Sequence, residues 1–213
     1  MNHLTLSILV VSVLMAGCSR NGNADADTFA TAVRSYLDKR GDLCLAKNTW
    51  PIDVTQHEVD VGARNALQMP VLERLGLVSS SVAEIDVDDE GTPHHMKVRR
   101  YALTESGRKY YIVRVRVGAQ AGTQAAQADF CAAKLSLDKV VSWDLQQGND
   151  SKARHAVVTY TYKVDAAPWT QDAAVQKVFP MVAGIVHGAG TAKLQEGFTL
   201  TDTGWVAVDL LGS

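Results

Sequence analysis

The sequence predicts an α+β fold built as two related halves, each a helix followed by an antiparallel hairpin, with the pair clipped by a disulfide. Three observations point there. Apolar residues recur at helical spacing in three separate stretches and with a period of two in others. One short pattern, aromatic-x-Leu-Thr-acid-x-Gly, occurs twice, as Tyr101-Ala-Leu-Thr-Glu-Ser-Gly107 and as Phe198-Thr-Leu-Thr-Asp-Thr-Gly204. Upstream of each copy lies a helical pattern ending in Gly and two apolar residues, Leu75-Gly76-Leu77-Val78 and Ala183-Gly184-Ile185-Val186, so one unit is used twice. The third observation is a cysteine pair, Cys44 and Cys131, with one copy-bearing half on either side of the linker between them.

The chain begins with an address. From Leu4 to Met15 nearly every residue is apolar, which is the length of a signal-peptide hydrophobic region and too short to span a bilayer. Ala16 and Gly17 give a peptidase an unhindered chain, and Cys18 follows. The string Leu14-Met15-Ala16-Gly17-Cys18 resembles the lipobox of bacterial lipoproteins. The resemblance implies that residues 1–17 are a cleaved signal peptide, and that Cys18 is diacylated on sulfur and then acylated on its new α-amine. More than one acyl chain gives stable anchoring, each buried methylene contributing about 0.8 kcal/mol. Ser19 stands where enteric lipoproteins kept at the inner membrane carry Asp. An outer-membrane anchor with the body facing the periplasm is therefore implied.

Composition is that of a globular body: 46% hydrophobic, 21% charged and a net charge of -2 over 213 residues. Near-neutrality argues against a nucleic-acid partner for the whole chain. With Cys18 assigned to lipid, Cys44 and Cys131 remain, and an even pair in an oxidising compartment is most simply a disulfide, two buried free thiols being the alternative. Closing so long a loop removes up to about 4–5 kcal/mol of unfolded-chain entropy.

In chain order, residues 18–26 have nothing to bury and read as a tether between lipid and fold. The first half, 27–122, opens with a helix capped by Asp25 or Asp27, with Phe29, Ala32, Val33, Tyr36 and Leu37 on one face and Gly41 at its end. Cys44 to Val54 is irregular or extended and broken at Trp50-Pro51. A second helical pattern (Ala66, Leu67, Val71, Leu72, Leu75) is interrupted by Pro70, which kinks it or opens a new helix, and Gly76 closes it. Residues 86–95 are acidic and turn-rich and read as a loop. Tyr111 to Val117 alternates Val113, Val115 and Val117 with Arg114 and Arg116, a half-buried strand with an arginine face. Residues 118–129, rich in Gly, Ala and Gln, read as a linker.

The second half, 123–213, carries two β-rich runs, 135–145 and 156–164, joined through the turn chemistry of Gly148-Asn149-Asp150 as a hairpin. Val158, Tyr160, Tyr162 and Val164 share a face of the second run. Residues 172–186 are helical by the spacing of Val175, Val178, Phe179 and Val182, kinked at Pro180. Two short strands about Thr203-Gly204 close the chain.

The first copy, with Leu75-Gly-Leu-Val and Tyr101-Ala-Leu-Thr-Glu-Ser-Gly-Arg, resembles the helix and wing of winged-helix regulators, with Lys97, Arg99, Arg100, Arg108 and Lys109 around it. The leader places that surface outside the cytoplasm, so the resemblance is one of fold and implies no DNA. Beyond this, the mature chain is similar to a group of uncharacterised proteobacterial lipoproteins. The similarity rests on Cys44-Leu45, Trp50-Pro51, Phe130-Cys131, Trp143, Tyr160-Thr-Tyr-Lys163, Pro168-Trp169, Phe179-Pro180 and Leu200-Thr201 with Gly204-Trp205. It implies a Gram-negative source and supports the disulfide.

Chemistry is sparse. Asp86-Val-Asp88-Asp89-Glu90-Gly91 begins like a calcium loop, but its twelfth position is Lys97 where the ion needs a carboxylate. His94-His95 beside it would point to opposite faces of a strand. Gly188-Ala-Gly-Thr-Ala-Lys193 lacks the ending of a phosphate loop and reads as a turn. No catalytic residue, metal ligand or cofactor is assigned. The expected function is a non-enzymatic binding or structural module of the envelope, held to the membrane by lipid and open to an envelope protein partner. An envelope enzyme would instead gather His57, His155 or His187 with carboxylates in a pocket. A small-molecule binder would line an apolar cleft with Trp50, Trp143, Trp169 and Trp205, residues more commonly core anchors.

Overall fold

A computed structural model describes residues 22–89, 92–117, 124–147 and 154–211. The chain forms helix α1 (Ala26–Arg40), strands β1 (Asp42–Cys44) and β2 (Ile52–Thr55), and helices α2 (Gln56–Asp60) and α3 (Arg64–Arg74). Strands β3 (Val78–Asp89) and β4 (Thr92–Leu103) then precede the short helix α4 (Glu105–Arg108). β5 (Tyr111–Val117), β6 (Gln124–Gln147) and β7 (Arg154–Ala166) lead into α5 (Ala173–Val178), α6 (Pro180–His187), β8 (Lys193–Thr201) and β9 (Gly204–Ala207). The result is a mixed fold of helices and antiparallel sheet. One sheet runs β1-β6-β7-β8-β9 with β5 also on β6, and a second runs β2-β4-β3.

The long strand β6 is what joins the sheets' two hydrophobic cores. Residues 133–147 of β6 pair with β7, and their core lies against α1. Asp25 caps that helix by accepting from the Thr28 amide at 2.8 Å, and Phe29, Ala32, Val33 and Leu37 are its buried face. Across from them Val158, Tyr160 and Tyr162 of β7, Phe198 of β8 and Trp205 of β9 are buried, and we call this the sheet core. Only the tip of the β6–β7 hairpin, with its Gly148-Asn149-Asp150, lies outside the described residues.

The other end of β6 pairs with β5 from Gln124 to Phe130. The linker expected at 118–129 is therefore strand from residue 124 onward, because its Ala and Gln residues have a partner strand to pair with. On β5 Arg114 is exposed, but so is Val113, at 58%, since among the described residues β5 has β6 alone beside it; the side chains of Val115, Arg116 and Val117 lie outside the described residues. The core at this end gathers Leu45, Val54, Met69, Leu72, Val78, Tyr101, Phe130, Trp169 and Val175. Its centre is aromatic: the ring of Phe130 lies 6.1, 6.0 and 5.8 Å from those of Trp50, Tyr110 and Trp169.

Helix α3 runs through Pro70 without breaking, its Met69 and Leu72 buried on either side of the proline. It ends on Gly76, whose φ of 70° lets the Gly76 and Leu77 amides reach back to the carbonyls of Glu73 and Leu72. The expected kink at Pro180 is a full break. Phe179 leaves the helical region and Pro180 opens α6 as its first residue. Helix pair followed by hairpin thus occurs twice, as α2-α3-β3-β4 and as α5-α6-β8-β9.

The two copies of the repeated heptapeptide do not fall at matching places. Tyr101–Gly107 ends β4 and enters α4, where the Thr104 hydroxyl accepts from the Gly107 amide at 3.0 Å. Phe198–Gly204 ends the first strand of its hairpin, and the Thr201 hydroxyl donates to the Gly204 carbonyl at 2.9 Å. Gly184, expected to end a helix as Gly76 does, sits inside α6. Residues 86–95, expected as a loop, are mostly strand, with Asp86 opposite His95 in the β3–β4 register. Twelve cross-strand pairs carry that hairpin outward, and their ladder outweighs the turn propensity of single residues.

Candidate functional site

Cys44 and Cys131 form the disulfide. They sit opposite each other where β1 meets β6, at the junction of the two cores. The chain after Cys44 is held by one carboxylate. Asp129 accepts from the amides of Ala46 at 3.2 Å, Lys47 at 2.7 Å and Phe130 at 2.7 Å. That grip turns Ala46 to a φ of 56°, the left-handed region that residues with a Cβ seldom enter.

The same turn drives Lys47 inward. It is only 4% exposed, and its ammonium donates to Asn65 Oδ1 at 2.7 Å. Burial, helped by the nearby Arg64 and opposed by Asp129, pushes its pKa below the usual lysine range. Tyr111 completes the wrap by donating from its hydroxyl to the Asn48 carbonyl at 2.6 Å. Trp50-Pro51 follows as a cis peptide.

Over the disulfide lies a cleft of about 220 Å³ lined by Lys39, Arg40, Asp42, Arg114, Asp129 and the two cysteines, among others. Its charges are largely paired: Asp42 takes both Arg114 and, at 3.4 Å, Lys134, while Arg40 reaches Asp209 at 3.2 Å. A longer groove of about 610 Å³ runs between α1 and β9, along Thr28, Ser35, Tyr36, Lys39, Trp205 and Leu210. A third, of about 430 Å³, lies between α2, α3 and the β2-β4-β3 sheet, with Val54, Val59, Ala66 and Val82 as an apolar floor and Lys97 and Arg99 beside them. Val59 is 53% and Val82 78% exposed.

The residues singled out from sequence fall in different places. Cys18 lies outside the described residues. His57 is on α2, His155 on β7 with its Nδ1 3.0 Å from Thr199 Oγ1, and His187 ends α6. None of the three lines any of these clefts. The tryptophans split into two pairs rather than meeting at one groove: Trp50 and Trp169 pack in the aromatic core, Trp143 and Trp205 in the sheet core. His95 pairs with Asp86 at 2.6 Å across the hairpin. Of the five basic residues around the first heptapeptide, Arg100 is bound to Asp53 at 2.7 Å through two nitrogens and Arg108 donates to the Leu103 carbonyl. Among the described residues no group of three His, Cys, Asp or Glu is placed to hold a metal.

Sequence reasoning missed Lys47, Asn65, Asp129 and Asp42. None stands in a motif, and the only signal was that Asp42, Lys47 and Asp129 each lie within three residues of a bridged cysteine. No protein-family model matches the chain, and neither a characterised protein nor a solved structure is significantly similar to it.

Proposed function

We propose that this chain is a lipid-anchored component of a Gram-negative envelope. In this reading Cys18 is acylated at the outer membrane, and a non-enzymatic binding or structural body faces the periplasm. The observation that carries the reading is the Cys44–Cys131 bridge, which takes two of the chain's three cysteines and leaves Cys18 for lipid. A bridge of that kind persists in an exported protein and is rare in a reducing cytosol. The lipobox at Leu14–Cys18 supplies the chemistry of attachment, and the similarity to uncharacterised proteobacterial lipoproteins agrees with it.

A binding role is supported by the groove between α2, α3 and the three-stranded sheet, where apolar side chains lie open beside Lys97 and Arg99. The finer, winged-helix-like description of the halves draws on the recurrence of helix pair and hairpin. It fits the first half better, because β3 and β4 project as a long wing after α3. The test is the intact mass of protein extracted from membranes, with and without reductant. The expected mass is that of the chain from Cys18 plus acyl groups, rising by two hydrogens on reduction. An unmodified chain that keeps residues 1–17 would overturn the reading.

A further inference from the structure

The chain is seated on the fold almost as soon as it leaves Cys18. The Gly22 carbonyl accepts from Arg154 at 3.2 Å and the Asn23 carbonyl from the Trp205 indole at 3.0 Å, while Ala24 packs against the sheet core. Residues 22–26, which read as part of a free tether, are thus bound to β7, β9 and the start of α1. Only four peptide units separate Cys18 from Gly22, and even fully extended they reach about 14 Å.

The position of Gly22 in the fold then decides which end of the molecule the anchor holds. Arg154 is the first residue of β7. Because His155 stands opposite Thr199, the β8–β9 turn at Thr201–Gly204 extends just past Arg154 on the same side. The other end of β7, Ala166, stands opposite Ala133, two residues from the bridged Cys131. At about 3.3 Å per residue the length of β7 puts the disulfide about 40 Å from Arg154. Helix α1 runs the same way, with Phe29 against Trp143 and Trp205 at its start and the Gly41 carbonyl bonded to the Leu135 amide at its end.

We infer that the end of the sheet formed by Gly22, Arg154 and the Thr201–Gly204 turn lies against the headgroups of a lipid bilayer. The aromatic core, with the apolar groove of Val59 and Val82, is held out beyond the disulfide on a rigid strand pair. This rests on the acylation of Cys18 proposed above, and adds to it a membrane-facing surface and a fixed orientation. A tether this short holds the Gly22 end at the lipid, and the far end, about 40 Å away, comes to it only if the whole body tips over. The long α1–β9 groove, which begins beside Thr203 and Gly204, therefore opens at the membrane face.

The full chain, extracted with its lipid and reconstituted in nanodiscs of phosphatidylethanolamine and phosphatidylglycerol, tests this when a gadolinium-chelating lipid is included. Amides of Asn23, Arg154 and Thr203 should lose most of their NMR intensity while those of Val59 and Val82 keep theirs. Equal or greater loss at Val59 and Val82 on a chain whose acylation is verified by mass would overturn the orientation and leave the anchor standing. A Cys18 found without acyl chains would remove the anchor itself, and the orientation with it. A long Gly/Ser insertion after Ser19 should even out the losses. Selectivity that survives the insertion would show that reach does not set the orientation.

Discussion

The two cores meet at one disulfide, yet they place their ionisable groups in opposite ways. The sheet core buries phenols. Burial, followed by the hydrogen bond and charge of Glu196, pushes Tyr36 above the usual tyrosine range, and burial with Glu196 raises Tyr160 to about 12. Burial raises Tyr162 as well. The aromatic core has one raised phenol, Tyr101, and two carboxylates whose pKa is lowered by an arginine. The Arg100 guanidinium holds Asp53 below the usual carboxylate range, and Arg74, with the amides of Val175 and Ala174, does the same for Asp172. The lesson is that the wide sheet can hide hydroxyls between strands and helix. The aromatic core, assembled from short elements, fastens α3 to α5 and β2 to β4 with charges at its rim.

That contrast can be broken most forcefully at the ring centres. Phe29 and Phe130 are both 0% exposed, and each replacement by Ala should cost about 3–5 kcal/mol in chemical denaturation. Phe130→Ala should be the worse, because three rings converge on Phe130 and two on Phe29. A cost near zero at either site would mean that its core is not packed as described.

A smaller effect is expected from the glycines that end the two heptapeptides. A Cβ on Gly107 would lie 1.9 Å from the Leu77 carbonyl oxygen, so α4 and the backbone that leads into β3 must separate to admit it. Gly204 has a φ of 115°, which an alanine adopts only with strain. Both Ala variants should lose stability, about 1–3 kcal/mol each, with Gly107→Ala the larger. Equal behaviour of the two would argue that the heptapeptides play one structural role after all.

The smallest effect is on pH dependence, and its sign differs between the cores. A phenol raised by folding stays protonated in the folded chain while it ionises in the unfolded one. Its stabilisation is full below about pH 10 and is lost as pH rises toward the folded value. A carboxylate lowered by folding contributes above about pH 3.9 and loses that contribution as pH falls below it. Tyr160→Phe should therefore flatten the alkaline limb of the stability profile, and Asp53→Asn the acid limb. Denaturation midpoints across both limbs check this, and a variant that flattened the other limb would reverse the assignment.

Much of the sheet core was legible in the sequence. Asp25, Phe29, Val33, Leu37 and Gly41 spell a capped helix at regular spacing, and the alternation Val158, Tyr160, Tyr162 fixes a strand face. The aromatic core was not, because Leu45, Val54, Met69, Phe130 and Trp169 come from short elements far apart in the chain, with no period to connect them. The candidate site was half visible. The cysteine pairing followed from an even count and from the export that the leader implies. The Asp129 grip on Ala46 and Lys47 joins residues more than eighty apart and leaves no local mark. The heptapeptide echo misled in detail, since Thr and Gly three residues apart satisfy a helix start and a hairpin turn equally well.

The outer strand of the small sheet has a consequence for crowding. Among the described residues β3 has β4 on one side only, and Val82 on it is largely open. Such a rim invites a strand from a neighbouring copy, and on the lipid anchor proposed above copies would meet far more often than in solution. Glu73 of α3 occupies the Ser80 amide at 2.8 Å, and the carboxylates of Glu84 and Asp86 stand exposed further along. A copy arriving in register would find a donor already spent and would bring its own negative charges against these, so the rim discourages polymers while leaving Val82 accessible.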